Sequence, residues 1–171
     1  MREPNIEKTI VVTRASVVTR IGSILNMMAK ARFDGTNSRY VNHIVPKTDF
    51  PQEKGLIDDI FKDSVGRLAK RIKCYVTSAK IIPPAEPTRR DTTYCELHLS
   101  FPYNWASQME DVIEDKINEY LAYQMIALWF EKTSPADVVY YEPKAKDLLQ
   151  EVRHTCEMRN RIIHTFRDLT E

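Results

Sequence analysis

The chain has 171 residues, of which 43% are hydrophobic and 29% are charged, a balance typical of soluble globular proteins rather than disordered ones. The 25 lysines and arginines are matched by 24 aspartates and glutamates, so the net charge of +1 excludes the strongly basic class of general nucleic-acid binders. The length favours one domain over residues 1–171.

The cysteines and the apolar runs place the chain in a reducing compartment and outside the membrane. Cys74, Cys95 and Cys156 are widely spaced and lack a paired-cysteine motif, so we expect free thiols and no structural zinc. The longest apolar run, residues 120–130, is interrupted by Gln124 and is too short to span a bilayer. The sequence has no glycine-rich phosphate-binding loop, and we expect neither a cofactor nor a metal.

The first half of the chain predicts a strand and two helices. A β-branched run at residues 8–12 predicts a short strand, and Thr13 is suited to cap a helix over residues 14–31. Residues 33–51 lack a sustained period and predict an irregular loop that carries partner contacts. Helical spacing then predicts a second helix over residues 52–79, with a basic outer face at Arg67, Lys70 and Arg71.

The second half predicts a strand followed by two long helices. Residues 83–87 form a proline-rich connector, and the alternation over residues 92–101 predicts a half-buried strand that pairs with residues 8–12 or with another subunit. Asn104 is suited to cap the start of a third helix reaching Glu131. Ser134-Pro135-Ala136-Asp137 predicts the start of a fourth helix, which Pro143 kinks or restarts.

These elements predict a mainly α (α+β) fold with four helices, the last two long and antiparallel, and one or two short strands. Residues 162–171 form a C-terminal arm. Toward its end, the third helix is apolar on nearly every side, which predicts burial on every side. In a small chain, part of this surface is expected to meet another subunit. We assign that contact to Tyr123, Ile126, Trp129 and Phe130.

Two groups of polar residues are candidates for chemistry. Arg159-Asn160-x-x-x-His164 resembles the signature of HEPN ribonucleases, which implies phosphate stabilisation by Arg159, proton transfer by His164 and an orienting role for Asn160. The alternative is that Arg159 and the arginines after it are cations complementing the end of a helix. Glu96 and His98 share the polar face of a strand, where a solvated pair is favoured over a metal site.

The order of elements, with the segments LHLSFPYNW, YLAYQMIALWF, TSPADVVYY and EMRNR, resembles small head–tail connector or adaptor proteins of tailed phages and prophages of Bacteroidetes-type hosts. The resemblance implies a non-enzymatic virion protein, assembled in the host cytoplasm as a ring at the portal. Its partners would be further copies of the chain, the portal and neighbouring connector or tail proteins, with packaged DNA nearby. A small cytosolic oligomeric adaptor is a further alternative. The candidate interface residues are Tyr123, Ile126, Trp129, Phe130, Arg67, Lys70, Arg71, Arg161 and Arg167.

Overall fold

A computed structural model describes residues 4–32, 51–83 and 93–160 of the chain, with side chains described at 4–27, 55–83 and 93–160. The described elements, in chain order, are β1 (Ile6–Thr13), α1 (Arg14–Arg32), α2 (Pro51–Arg71), β2 (Val76–Ile82), β3 (Tyr94–Phe101), α3 (Glu110–Thr133) and α4 (Val138–Glu157). Short 3-10 turns, Ser107–Met109 and Pro135–Asp137, precede α3 and α4.

The predicted fold class is confirmed: four described helices accompany a small antiparallel sheet. Among the described residues the sheet has three strands instead of one or two, because β2 lies where the sequence predicted the end of a helix. The second helix stops at Arg71, and a turn closed by the Tyr75 amide on the Ile72 carbonyl (2.9 Å) leads into the strand. Ile72 and Val76 fit helical spacing, yet the β-branched segment after them gains a ladder of hydrogen bonds by pairing with β3.

The sheet has the strand order β1-β3-β2, with both outer strands antiparallel to the central one. The predicted pairing of the first strand with residues 92–101 is therefore confirmed, with Ile10 opposite Leu97. One face of the sheet is buried under the helices, and the other is open to solvent in the described part of the chain. The buried face carries Ile10, Val12, Cys95, Leu97, Leu99 and Phe101.

The junction of β1 with α1 ties the sheet to two helices. Thr13 caps α1 as predicted, since its hydroxyl accepts a hydrogen bond from the Ser16 amide at 3.2 Å. Arg14, the first residue of α1, is buried and forms an ion pair with Asp58 of α2. Its amide donates to the Thr93 carbonyl at 2.9 Å and so continues the pairing of β1 with β3.

The last two helices are antiparallel, as predicted. Lys116 near the start of α3 reaches Glu151 near the end of α4 at 2.6 Å, and the rings of Phe130 and Tyr141 stack at the opposite end with centroids 5.1 Å apart. α4 continues through Pro143 and does not restart there. No helix in the described ranges combines the length and apolar character needed to cross a bilayer.

The start of α3 corrects a prediction. Asn104 is not its N-cap, because residues 102–109 form a turn that buries the Trp105 side chain before the helix begins at Glu110. A buried indole contributes more apolar surface to the core than an extra helical turn at a solvated position. The helix therefore begins one and a half turns later than the capping pattern indicates.

The apolar end of α3 is covered within one chain. α1 and α2 pack against its Met125, Ile126 and Trp129 side, and Tyr141 of α4 stacks on Phe130. Ile126, Trp129 and Phe130 are all less than 9% exposed. The inference that these three need a neighbouring subunit is therefore wrong, since helices of the same chain bury them. Tyr123 is half-buried against the same core.

Candidate functional site

The turn at Trp105 joins the end of β3 to the end of α4. The indole stacks on Phe101 with ring centroids 4.1 Å apart and planes 10° apart. Its N–H donates to the Thr155 carbonyl at 3.0 Å, and its backbone forms a bridge with Arg159. We call Trp105, Thr155, Met158, Arg159 and Asn160 the C-terminal latch, because together they fix the chain after α4 to the turn after β3.

The two described residues of the possible nuclease motif belong to this latch. Arg159 Nη1 donates to the carbonyls of Cys156 and Met158, at 3.0 and 3.1 Å. The Asn160 side-chain amide donates to the Trp105 carbonyl at 3.2 Å, and the Asn160 backbone amide donates to the Asn104 carbonyl at 2.9 Å. Arg159 thus binds carbonyl groups at the end of α4. These are the contacts of a cation that complements the end of a helix, which is the alternative given for this residue above. His164 lies outside the described residues.

Two of the three cysteines are built into the core. Burial raises the pKa of the Cys95 thiol to about 11. Burial, together with nearby Glu157, raises the pKa of Cys156 to about 12. Both side chains are therefore neutral thiols at physiological pH and act as small apolar groups. Cys74, in the turn before β2, is exposed.

Glu96 and His98 lie on the open face of the sheet, as predicted. His98 Nδ1 is 3.0 Å from the Thr9 hydroxyl, and its Nε2 is 3.7 Å from a Glu96 carboxylate oxygen. No group of three or more metal-ligating side chains gathers anywhere in residues 4–32, 51–83 and 93–160. The pair has the contacts expected of a solvated polar face.

The predicted basic surface lies at the end of α2. Lys70 and Arg71 are exposed, and Arg67 is exposed but paired with Asp63 at 3.1 Å. Burial raises the pKa of the Tyr120 hydroxyl on α3 to about 12, and the positive charges of Arg67 and Arg71 lower it in part. These cations therefore lie on the Tyr120 side of α3. Arg161 and Arg167, the remaining basic candidates, lie outside the described residues.

An acidic surface, formed by Glu110, Asp111, Glu114 and Asp115, occupies the first turns of α3. Glu110 is bound by Lys8 of β1 at 2.5 Å, and Asp115 by Arg20 of α1 at 2.6 Å, while Asp111 and Glu114 are exposed. A groove of about 380 Å³ runs between this part of α3, the start of α1 and β1. The groove is lined by Val11, Thr13, Ser16, Arg20, Glu114 and Asn118.

Two apolar residues that the sequence patterns did not single out stay exposed at the far end of the helical hairpin. Val139 and Tyr140, in the first turn of α4, are 64% and 57% exposed. The signal was present in the run Val138-Val139-Tyr140-Tyr141, because a helix buries only one side of four consecutive apolar residues when a single neighbour covers it. Tyr141 takes the buried position, which leaves its two predecessors outside.

The contacts of the latch residues thus join the turn after β3 to the end of α4. The other features are surfaces: a basic end of α2, an acidic start of α3 beside a groove, and an exposed apolar pair on α4. Comparisons with models of known protein families, with curated proteins and with solved structures found no significant match to this chain.

Proposed function

We propose that the chain is a non-enzymatic structural subunit that assembles into a ring at the head–tail junction of a tailed phage particle, as a connector or adaptor. The observation that carries this proposal is the placement of two surfaces of opposite charge on one chain. A second support is the resemblance of the sequence segments to small connector proteins. The virion, assembled in the host cytoplasm, is the corresponding location.

The two charged surfaces lie on different sides of α3. Successive helical residues are about 100° apart, so Asp111 lies about 180° and Glu114 about 120° around the helix axis from Tyr120. The basic residues Arg67 and Arg71 lie on the Tyr120 side. One copy therefore presents its basic surface in a direction different from that of its acidic surface.

Such an arrangement favours a head-to-tail contact between copies. In a contact between unlike surfaces, each subunit uses both of its surfaces, and the assembly closes into a ring when the rotation between neighbours allows it. Opposite charges speed the encounter and suppress the pairing of like surfaces. A ring of this kind is the form required of a subunit through which a genome leaves the head.

Electron microscopy of the purified chain, with charge variants, tests the proposal. We expect wild-type rings with an axial opening wide enough for double-stranded DNA, and binding of these rings to portal assemblies. Lys70→Glu with Arg71→Glu is expected to dissociate the rings, and Asp111→Lys with Glu114→Lys in the same chain to restore them. Lys144→Glu, an exposed lysine of α4 outside both surfaces, is the matched control.

Two outcomes would contradict the proposal. A chain that remains monomeric at every concentration and cleaves RNA without a metal, with activity lost on His164→Ala, would indicate a HEPN-type ribonuclease. A defined oligomer that fails to bind portal assemblies would instead indicate an adaptor without a virion role.

A further inference from the structure

The three-stranded sheet has two edges that no described residue pairs with. In the order β1-β3-β2, the central strand is paired on both sides, whereas β1 and β2 are each paired on one side only. β1 is eight residues long, contains no proline and is exposed at Glu7, Thr9 and Val11. A long, uncovered edge strand presents a row of free backbone groups to any strand that approaches it.

Hydrogen bonds at the ends of the sheet show which backbone groups point outward. The Arg14 amide donates to Thr93, and bonded pairs alternate along an antiparallel ladder. The even-numbered residues of β1 therefore face β3, and the N–H and C=O groups of Glu7, Thr9 and Val11 point away from the sheet. The odd-numbered residues of β3 direct their backbone groups to β1, so Tyr94 and Glu96 direct theirs to β2. On β2 these two residues are opposite Ile82 and Lys80. Ala79 and Ile81 then direct their groups to the free edge.

We propose that β2 of one copy pairs in parallel with β1 of the next, so that the sheets join into one continuous sheet around the ring. The proposal rests on the proposed function, since it identifies the contact that closes the ring. The groove of about 380 Å³ beside the end of β1 leaves room for side chains of the incoming strand.

The direction of pairing follows from the topology. β1 and β2 are both antiparallel to β3, so they run in the same direction within one chain. A rotation about an axis close to the strand direction preserves that direction from copy to copy. The β2 strand of one subunit therefore meets the β1 strand of its neighbour in parallel.

Charge favours this pair of edges. α2 ends at Arg71 and turns directly into β2, so the basic surface lies at the start of β2. The ion pair of Lys8 with Glu110, and the groove that Glu114 shares with Val11 and Thr13, place the acidic surface along β1. Pairing of β2 with β1 brings the two surfaces together. Pairing of β1 with another β1 would instead bring two acidic surfaces towards each other, which costs binding energy.

The facing of the side chains sets the register. Neighbouring residues of paired strands point to the same side of the sheet, so the open-face residues Lys80 and Ile82 lie beside open-face residues of β1. Placing Ile82 beside Val11 covers the exposed Val11 side chain, which is 46% accessible, with an apolar neighbour. The Val11 amide then donates to the Ile81 carbonyl, and the ladder ends there because Pro83 has no N–H. In this register Lys80 lies beside Thr9, and Glu7 is the next residue of β1 on the same face of the sheet.

A proline substitution in β1 can remove an outward-pointing amide without disturbing the hydrogen bonds between β1 and β3. Because the Thr9 amide points away from β3, Thr9→Pro removes an outward donor and leaves the pairing of β1 with β3 in place. Thr9→Val is the matched control, since both variants lose the contact of the Thr9 hydroxyl with His98 and only the proline loses the amide. We expect Thr9→Pro to be a folded monomer, checked by circular dichroism, and Thr9→Val to form wild-type rings.

Cross-linking identifies the partner edge. In a Cys74→Ser background, which leaves two buried thiols, Val11→Cys and Lys80→Cys place one thiol on each edge. A short bis-maleimide should give a ladder of covalent oligomers only in the double variant, and a covalent dimer when the two single variants form mixed rings. A dimer from Val11→Cys alone would show pairing of β1 with β1 and would overturn the inference.

The failure of this inference differs from the failure of the proposed function. Rings that persist in Thr9→Pro, with no cross-link between the two edges, would show that the ring closes through another contact. A wild-type chain that stays monomeric would contradict the ring and the contact together.

Discussion

The substitution Trp105→Phe tests whether the C-terminal latch holds the fold together. A phenyl ring can still stack on Phe101, but the indole N–H that donates to the Thr155 carbonyl at 3.0 Å is lost. That carbonyl retains the longer bond, 3.3 Å, from the Met158 amide. The lost hydrogen bond costs about 1 kcal/mol. The smaller ring also leaves a cavity at a site only 1% exposed, which costs about 1–2 kcal/mol more.

Urea unfolding followed by circular dichroism measures the effect. We expect the free energy of unfolding to fall by about 2–3 kcal/mol, which at a slope of about 2 kcal/mol per molar urea moves the midpoint by more than about 1 M. Tyr103→Phe is the control, because Tyr103 is exposed and its substitution should change stability by less than about 0.5 kcal/mol. Equal midpoints for the two variants would refute the structural role of the latch.

Two further predictions concern a surface ion pair and the thiols. The hydrogen bond with Lys116 lowers the pKa of Glu151, so the stability that this pair contributes is present above the usual Glu pKa and is lost as pH falls through the lowered value. A double-mutant cycle of Lys116→Met and Glu151→Gln should give a coupling below about 1 kcal/mol at neutral pH and none in strong acid; an unchanged coupling in acid would contradict the assignment. A thiol reagent should label Cys74 in the folded protein and reach Cys95 and Cys156 only in denaturant, because their pKa values are about 11 and 12; fast labelling of all three would contradict their burial.

Local patterns predicted most of the elements. The alternation in residues 92–101 and the β-branched run before Thr13 gave two strands and their pairing, because side-chain period and burial are linked in a sheet. The cap at Thr13 was also predicted, because a hydroxyl just before a helical run can accept a hydrogen bond from an unpaired amide of the first turn. The buried stripe of α4, from Tyr141 to Cys156, follows the helical period.

The errors arose where distant contacts decide local structure. Val76 satisfies helical spacing with Ile72, so the sequence alone does not reveal that β3 draws this segment into the sheet. Trp105 delays the start of α3 because its ring is buried against Phe101, a contact with a strand that the capping pattern does not contain. Tertiary packing overrides local preference in both cases.

The candidate interface surfaces were predicted only in part. The basic residues at the end of α2 were identified from the helical period, whereas the apolar end of α3 was assigned to a subunit contact. The sequence shows that Ile126, Trp129 and Phe130 must be covered, but it does not show by what. In the structure, α1, α2 and α4 of the same chain supply that cover. The edges of β1 and β2 that no described residue pairs with emerge only when the strand order is known.

Native mass spectrometry of the purified chain tests the central proposal most directly. The chain has a mass of 20.0 kDa, and an assembly closed through unlike surfaces has one defined number of subunits. We predict a single discrete multiple of this mass that persists on dilution and dissociates in Thr9→Pro. A mass of 20.0 kDa at every concentration would contradict the ring, and with it the proposed role at the head–tail junction.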